Sequence, residues 1–226
     1  MNRPDSARHY VDKAMNLSPS WVLPYSSVAE GFFLNKNYEL AEEMINKAAK
    51  IDSNSVLVLN TKGRIYREIK NYAEAEKMFL KVIEIEPQWS VPYKNLSYLY
   101  LIRGDFNNAE IMADQAILNN PSEIRAIQVL AWTYIYTNRI NEAEALLIKA
   151  RALDKNNTFY LDFDLSCYYS LTSRVDMAYK HLNRALELGY TNYQRLMTDS
   201  DLENMRADPG QWKVLMNKYF PDKTIN

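Results

Sequence analysis

Alanine recurs at Ala7, Ala41, Ala75, Ala109 and Ala143, at an interval of 34 residues each time. A fixed period of this length means that one supersecondary unit is used repeatedly, which narrows the possible folds more than any bulk property. Two companion series keep the same register. Val11, Ile45, Phe79, Ala113 and Leu147 follow four residues later, and Ala14, Ala48, Val82, Ala116 and Ala150 follow seven residues later. Offsets of four and seven lie on one face of a helix. The small residue that leads each set permits a close helix crossing, because a larger side chain would push the backbones apart. Pro19, Ser53, Pro87 and Pro121 then mark the turn between units, where proline stops the helix.

The other half of each unit is equally regular. Phe32, Tyr66, Tyr100 and Tyr134 share the period, each preceded three residues earlier by a small side chain: Ala29, Gly63, Ser97 and Ala131. An aromatic ring can fill the space beside such a crossing, so these tyrosines read as core and not as ligand contacts. Between the two halves stand Asn37, Asn71, Gly104 and Asn138, the residues expected to take the left-handed backbone of a tight turn. The chain therefore reads as all-α, with helix-turn-helix units over 22–55, 56–89, 90–123 and 124–157. A fifth follows over 159–192 after a one-residue slip in the polar run Asn156-Asn157-Thr158. Residues 1–21 match a partial repeat or N-terminal cap, with a helix from Asp5 to Leu17. Residues 193–226 match a helical cap, with Pro209 opening a last helix whose apolar face carries Trp212, Leu215 and Met216.

Little points to chemistry. With 27 basic against 28 acidic residues the net charge is -1, so there is no general attraction to nucleic acid or anionic lipid. No apolar run is long enough to enter a membrane as a spanning helix, and no apolar leader opens the chain, which points to the cytoplasm. One cysteine, Cys167, and two histidines, His9 and His181, do not make a metal cluster. No phosphate-binding loop, dinucleotide fingerprint or hydrolase elbow occurs, so neither a cofactor nor a catalytic residue is expected, and the chain does not read as an enzyme. Asp162 and Asp164 are poor candidates for an acid-base pair, and His181 reads as a packing residue.

The pattern resembles the tetratricopeptide repeat family, whose signature has a Leu-Gly-x2-Tyr segment, then Ala-x3-Phe-x2-Ala, then Pro. Residues 56–89 match it best, with Leu59, Lys62, Gly63, Tyr66, Ala75, Phe79, Val82 and Pro87. The resemblance implies a right-handed superhelical solenoid in which the first helix of each unit lines a concave groove. It implies a scaffold for a protein or peptide, and it places Asn60, Arg64, Arg67, Lys94, Asn95, Tyr98, Arg125, Gln128 and Trp132 in that groove. Tyr160, Phe163, Asp164 and Cys167 take the matching positions of the fifth unit. Amides suit an extended backbone, cations suit carboxylates and aromatics suit apolar or cationic side chains, so an acidic or C-terminal peptide segment is the expected ligand class. Arg64 and Arg67 read equally as surface cations paired within the chain. The family's two-carboxylate clamp is matched only by Asn95 and the basic Arg125. The alternative function is a structural connector or self-association module, with a second copy or a fused domain as the partner and Trp21 at the contact.

Overall fold

The structure, a computed structural model, describes Lys13 and residues 20–223. The helix expected from Asp5 to Leu17 lies outside the described residues, except for Lys13. Among the described residues all regular secondary structure is helical, and the chain divides into two compact units, Met1–Glu123 and Ile124–Asn226.

The first unit holds three hairpins: α1 (Val22–Leu34) with α2 (Tyr38–Ile51), α3 (Val56–Glu68) with α4 (Tyr72–Ile85), and α5 (Ser90–Ile102) with α6 (Phe106–Asn119). The second unit holds α7 (Ile124–Tyr136) with α8 (Ile140–Leu153), and α9 (Phe159–Leu171) with α10 (Val175–Glu187). It ends in α11 (Tyr193–Thr198), a 3-10 turn (Ser200–Leu202), α12 (Glu203–Arg206) and α13 (Pro209–Tyr219).

The periodic residues form the seams of these hairpins. Ala41, Ala75, Ala109 and Ala143 have no exposed surface, nor do Ile45, Phe79, Ala113 and Leu147, nor Ala48, Val82, Ala116 and Ala150. The crossing is close at Gly63, where an added Cβ would come within 2.6 Å of the Phe79 ring. Residue size compensates across this seam: the largest buried side chain of its series, Phe79, faces the one glycine. In the second unit a continuous core runs from Ala143 and Leu147 through Leu182 and Ala185 to Leu196, Leu202, Met205, Trp212 and Met216. The segment after residue 192 thus joins the core of the preceding hairpin.

The turns correct one expectation. In the first two hairpins the left-handed residue is not Asn37 or Asn71 but the preceding lysine, Lys36 (φ 59°) and Lys70 (φ 64°). Asn37 and Asn71 instead cap the next helix, their side chains accepting from the Leu40 and Glu74 amides. Gly104 (φ 75°) and Asn138 (φ 62°) do take the left-handed backbone, and Asp105 caps after Gly104. The aromatic period explains the regularity: the carbonyls of Phe32, Tyr66, Tyr100, Tyr134 and Tyr169 accept from the amides of Asn37, Asn71, Asp105, Arg139 and Arg174. These six-residue closures satisfy the last carbonyls of each first helix and force the intervening residue to positive φ.

Candidate functional site

In the first unit the candidate residues lie on the first helices of the second and third hairpins, and most are engaged with one another or with acids. The Asn95 amide donates to the Asn60 side-chain carbonyl at 2.8 Å, and each residue is 7% exposed, so this pair ties α3 to α5. Arg64 donates to both Glu30 oxygens, at 2.7 and 2.9 Å, with its guanidinium 4.3 Å from the centre of the Phe33 ring. Arg67 bonds Glu68 at 2.9 Å and lies 4.9 Å from the centre of the half-exposed Tyr98 ring. Lys94 faces Glu123 at 3.5 Å. Every candidate cation of this unit therefore meets an acid, which is the intramolecular pairing that the sequence also allowed for Arg64 and Arg67.

The second unit differs. Its three candidates, Arg125, Gln128 and Trp132, rise from α7 toward Asp164 on α9. Gln128 Nε2 donates to Asp164 Oδ2 at 2.6 Å, and Trp132 lies on the same helix one turn further along. Beside them opens a pocket of about 360 Å³, lined by Arg125, Gln128, Phe159, Tyr160, Phe163, Asp164, Tyr190, Thr191, Asn192 and Arg195. That volume falls within the range of pockets that hold small molecules or single side chains.

The aromatic wall is packed ring against ring. Tyr190 stacks on Phe163 with centroids 4.5 Å apart and planes 11° apart, and meets the edge of Phe159 at 5.5 Å. Tyr190 is 7% exposed and its hydroxyl has no hydrogen-bond partner among the described residues; burial pushes its phenol up to about 12. Two arginines cover other ring faces. Arg125 lies 5.2 Å from the Tyr160 centroid and Arg195 lies 4.6 Å from that of Phe163. Arg125 is exposed and forms no ion pair among the described residues, whereas Arg195 uses its Nε on Asp199 at 2.9 Å. Asp164 is pushed up to about 6 by burial, against the opposing pull of the Gln128 bond and of the Arg125 and Arg195 charges.

Two neighbouring clusters are structural. Asp162, 1% exposed, is bound by Arg151 Nε at 2.8 Å, His181 Nδ1 at 2.9 Å and Arg184 Nε at 3.2 Å. Burial alone would raise its carboxyl, but the His181 and Arg151 contacts hold it below the usual range. The pair expected to be chemically idle thus divides, Asp162 tying helices together and Asp164 standing at a pocket. Cys167 has no exposed surface, and burial drives its thiol well up. Its sulfur and the carboxylates of Asp199 and Asp201 lie within 4.8 Å of one another, a grouping that sequence spacing did not suggest. The donor set fits a metal poorly, because Asp199 already receives Arg195 Nε and the Asp201 amide.

Phe159, Tyr190, Thr191, Asn192 and Arg195 were not among the sequence candidates. Four of them lie at or after the end of the fifth repeat, where the 34-residue register runs out. The available signal was local: Asn192 caps α11 by accepting from the Arg195 amide, the three-residue spacing that places Arg195 in the first turn.

A tetratricopeptide repeat family model matches residues 57–88, the span of α3 and α4. Among solved structures, a thermophilic tetratricopeptide-repeat protein of Thermus thermophilus, TTC0263, superposes with a TM-score of 0.72 at 19% identity. The match covers 81% of this chain and 100% of that one. The chain has the tetratricopeptide-repeat fold, and the family's model matches it over one hairpin. PilW, a type IV pilus biogenesis factor, is similar with a TM-score of 0.73 at 16% identity, over 89% of this chain and 94% of its own. YrrB, described as a tetratricopeptide-repeat protein with an unusual peptide-binding site, matches with a TM-score of 0.54 at 17% identity, over 83% of this chain and 96% of its own. At these identities the likeness establishes the shared fold. No curated protein sequence matches the chain. Among the described residues no helix is long and apolar enough to cross a membrane.

Proposed function

We propose that this tetratricopeptide-repeat protein is a noncatalytic scaffold that binds a protein or peptide, with the pocket between α7, α9 and the start of α11 as its anchor. The observation that carries this reading is the pocket's composition: a wall of stacked aromatic rings beside two arginines whose terminal N–H groups have no acceptor among the described residues. Such a surface offers the aromatic and arginine contacts that dominate protein recognition. The peptide-binding description of YrrB, which shares the fold, agrees with it. Within the first unit the Asn60–Asn95 pair and the Arg67–Tyr98 contact offer further polar and aromatic surface for an extended ligand.

Selection of a random displayed-peptide library against the intact chain tests the proposal. Enriched peptides are expected to bind in calorimetry and to lose most of their affinity to a Tyr160→Ala, Arg125→Gln variant whose circular dichroism is unchanged. Failure to enrich any sequence, or equal binding by the variant, would reject the pocket as the anchor.

A further inference from the structure

The hydrogen-bonding inventory of the pocket is lopsided. Among the described residues, Arg125 has all its guanidinium N–H groups without a hydrogen-bond acceptor, and Arg195 has those of its two terminal nitrogens. Asn192 spends its oxygen on the α11 cap, which leaves its amide N–H groups as donors. Against these stands one acceptor of strength, the Asp164 carboxylate, already bonded by Gln128. An excess of donors calls for an acceptor-rich guest. A cationic guest is disfavoured for a second reason, since the pocket's own arginines occupy the faces of Tyr160 and Phe163. The planar fork of a guanidinium matches a carboxylate, and the nearby Asp164 opposes any guest of higher charge.

We propose that the pocket takes a single carboxylate on an apolar stem, held by Arg125 and Arg195, and that the guest binds tightly only when Asp164 carries a proton. This rests on the peptide-binding reading above and names the group recognised there. The groups facing Asp164 are Arg125, Gln128 and Trp132 from α7, Arg195 from α11 and Cys167 on its own helix. Asp199 holds Arg195 and, with Asp201, completes the charged surroundings. Two carboxylates this close resist joint ionisation, so a second anion favours the protonated form of the first. Burial has already brought Asp164 to about 6, within reach of mild acid.

Nuclear magnetic resonance titration of the intact chain tests both parts, following the Trp132 indole and Arg195 Nε–H signals at about pH 5.5 and about pH 7.5, either side of the Asp164 midpoint. The probes are N-acetylphenylalanine, N-acetylglutamate methylamide and N-acetylphenylalaninamide, with inorganic phosphate as a fourth. The first two distinguish a C-terminal carboxylate from an acidic side chain, and saturable binding of either supports the proposal. Affinity is expected to be about tenfold or more higher at the lower pH. Asp164→Asn should abolish that difference and bind at the higher pH as the unaltered protein does at the lower. Arg125→Gln, which touches no ion pair, should weaken binding about tenfold. Equal binding of the amide probe would overturn the carboxylate assignment while leaving a peptide pocket. Tighter binding of phosphate would also overturn it, and a pH dependence that survives Asp164→Asn would overturn the proton requirement. No saturable shift with any probe at either pH would reject the pocket itself.

Discussion

The Tyr190 hydroxyl is buried without a partner among the described residues, and such a group forfeits its bonds to water and gains nothing in return. Tyr190→Phe keeps the stacked ring on Phe163 and deletes only that oxygen. It is expected to raise stability by about 1 kcal/mol in urea denaturation, and a lower midpoint would show that the hydroxyl is bonded in solution. Lys36 and Lys70 pose the same kind of local cost in the backbone, since a non-glycine residue in the left-handed region loses about 1 kcal/mol or more. Lys70→Gly should therefore raise the thermal midpoint, with a gain of about 0.5–1 kcal/mol after the greater freedom of glycine in the unfolded chain is counted. An unchanged or lowered midpoint would mean that the lysine stem contributes packing that offsets the strain. The turn residue was the point at which sequence reading went astray. Asparagine suits both a left-handed turn and a helix cap, and only the hydrogen bonds reveal that Asn71 does the second while Lys70 bears the first.

At the scale of elements, a hairpin works when the volumes across its seam sum correctly. The series Ala29, Gly63, Ser97 and Ala131 looks merely small in sequence, as does the variation of Ile45, Phe79, Ala113 and Leu147 on the facing helix. The structure shows why the two vary together at one crossing, where Gly63 leaves room for the fully buried Phe79 ring. Gly63→Ala is expected to destabilise by about 1–3 kcal/mol, the usual cost of overpacking a core. Adding Phe79→Leu should recover part of that loss, so the double variant should be more stable than the sum of the two single effects predicts. Strict additivity in the four denaturation curves would contradict the close approach. Helix existence, phase and burial were legible here because period and offset both repeat, and a tertiary accident does not repeat at 34 residues.

At the scale of the molecule, the two units are built from the same hairpin, but the second ends in short helices outside the repeat. Leu196, Leu202, Met205, Trp212 and Met216 sit in one core with Leu182 and Ala185, so the terminal segment is part of that unit's interior. Truncation after residue 192 would strip these side chains away. Each buried side chain of this size contributes about 1.5–3 kcal/mol, and the total is about as large as the whole stability of an ordinary domain. The truncated chain is expected to lose the near-ultraviolet dichroism of the second unit's aromatic residues, and a retained spectrum would refute this integral role.

The 34-residue period by itself determined an all-helical chain of hairpins and the faces they bury. Those properties follow from spacing along one chain, and spacing is written in the sequence. Only the tertiary structure decided which candidate side chains are engaged with one another. Arg64 meets Glu30, Lys94 meets Glu123, and Asn60 meets Asn95, while Arg125 forms no ion pair among the described residues and stands beside a pocket completed by Tyr190 and Arg195. Pairing depends on distances between side chains from different helices, and the pocket draws on a segment where the period has ended. No periodic signal carries either kind of information.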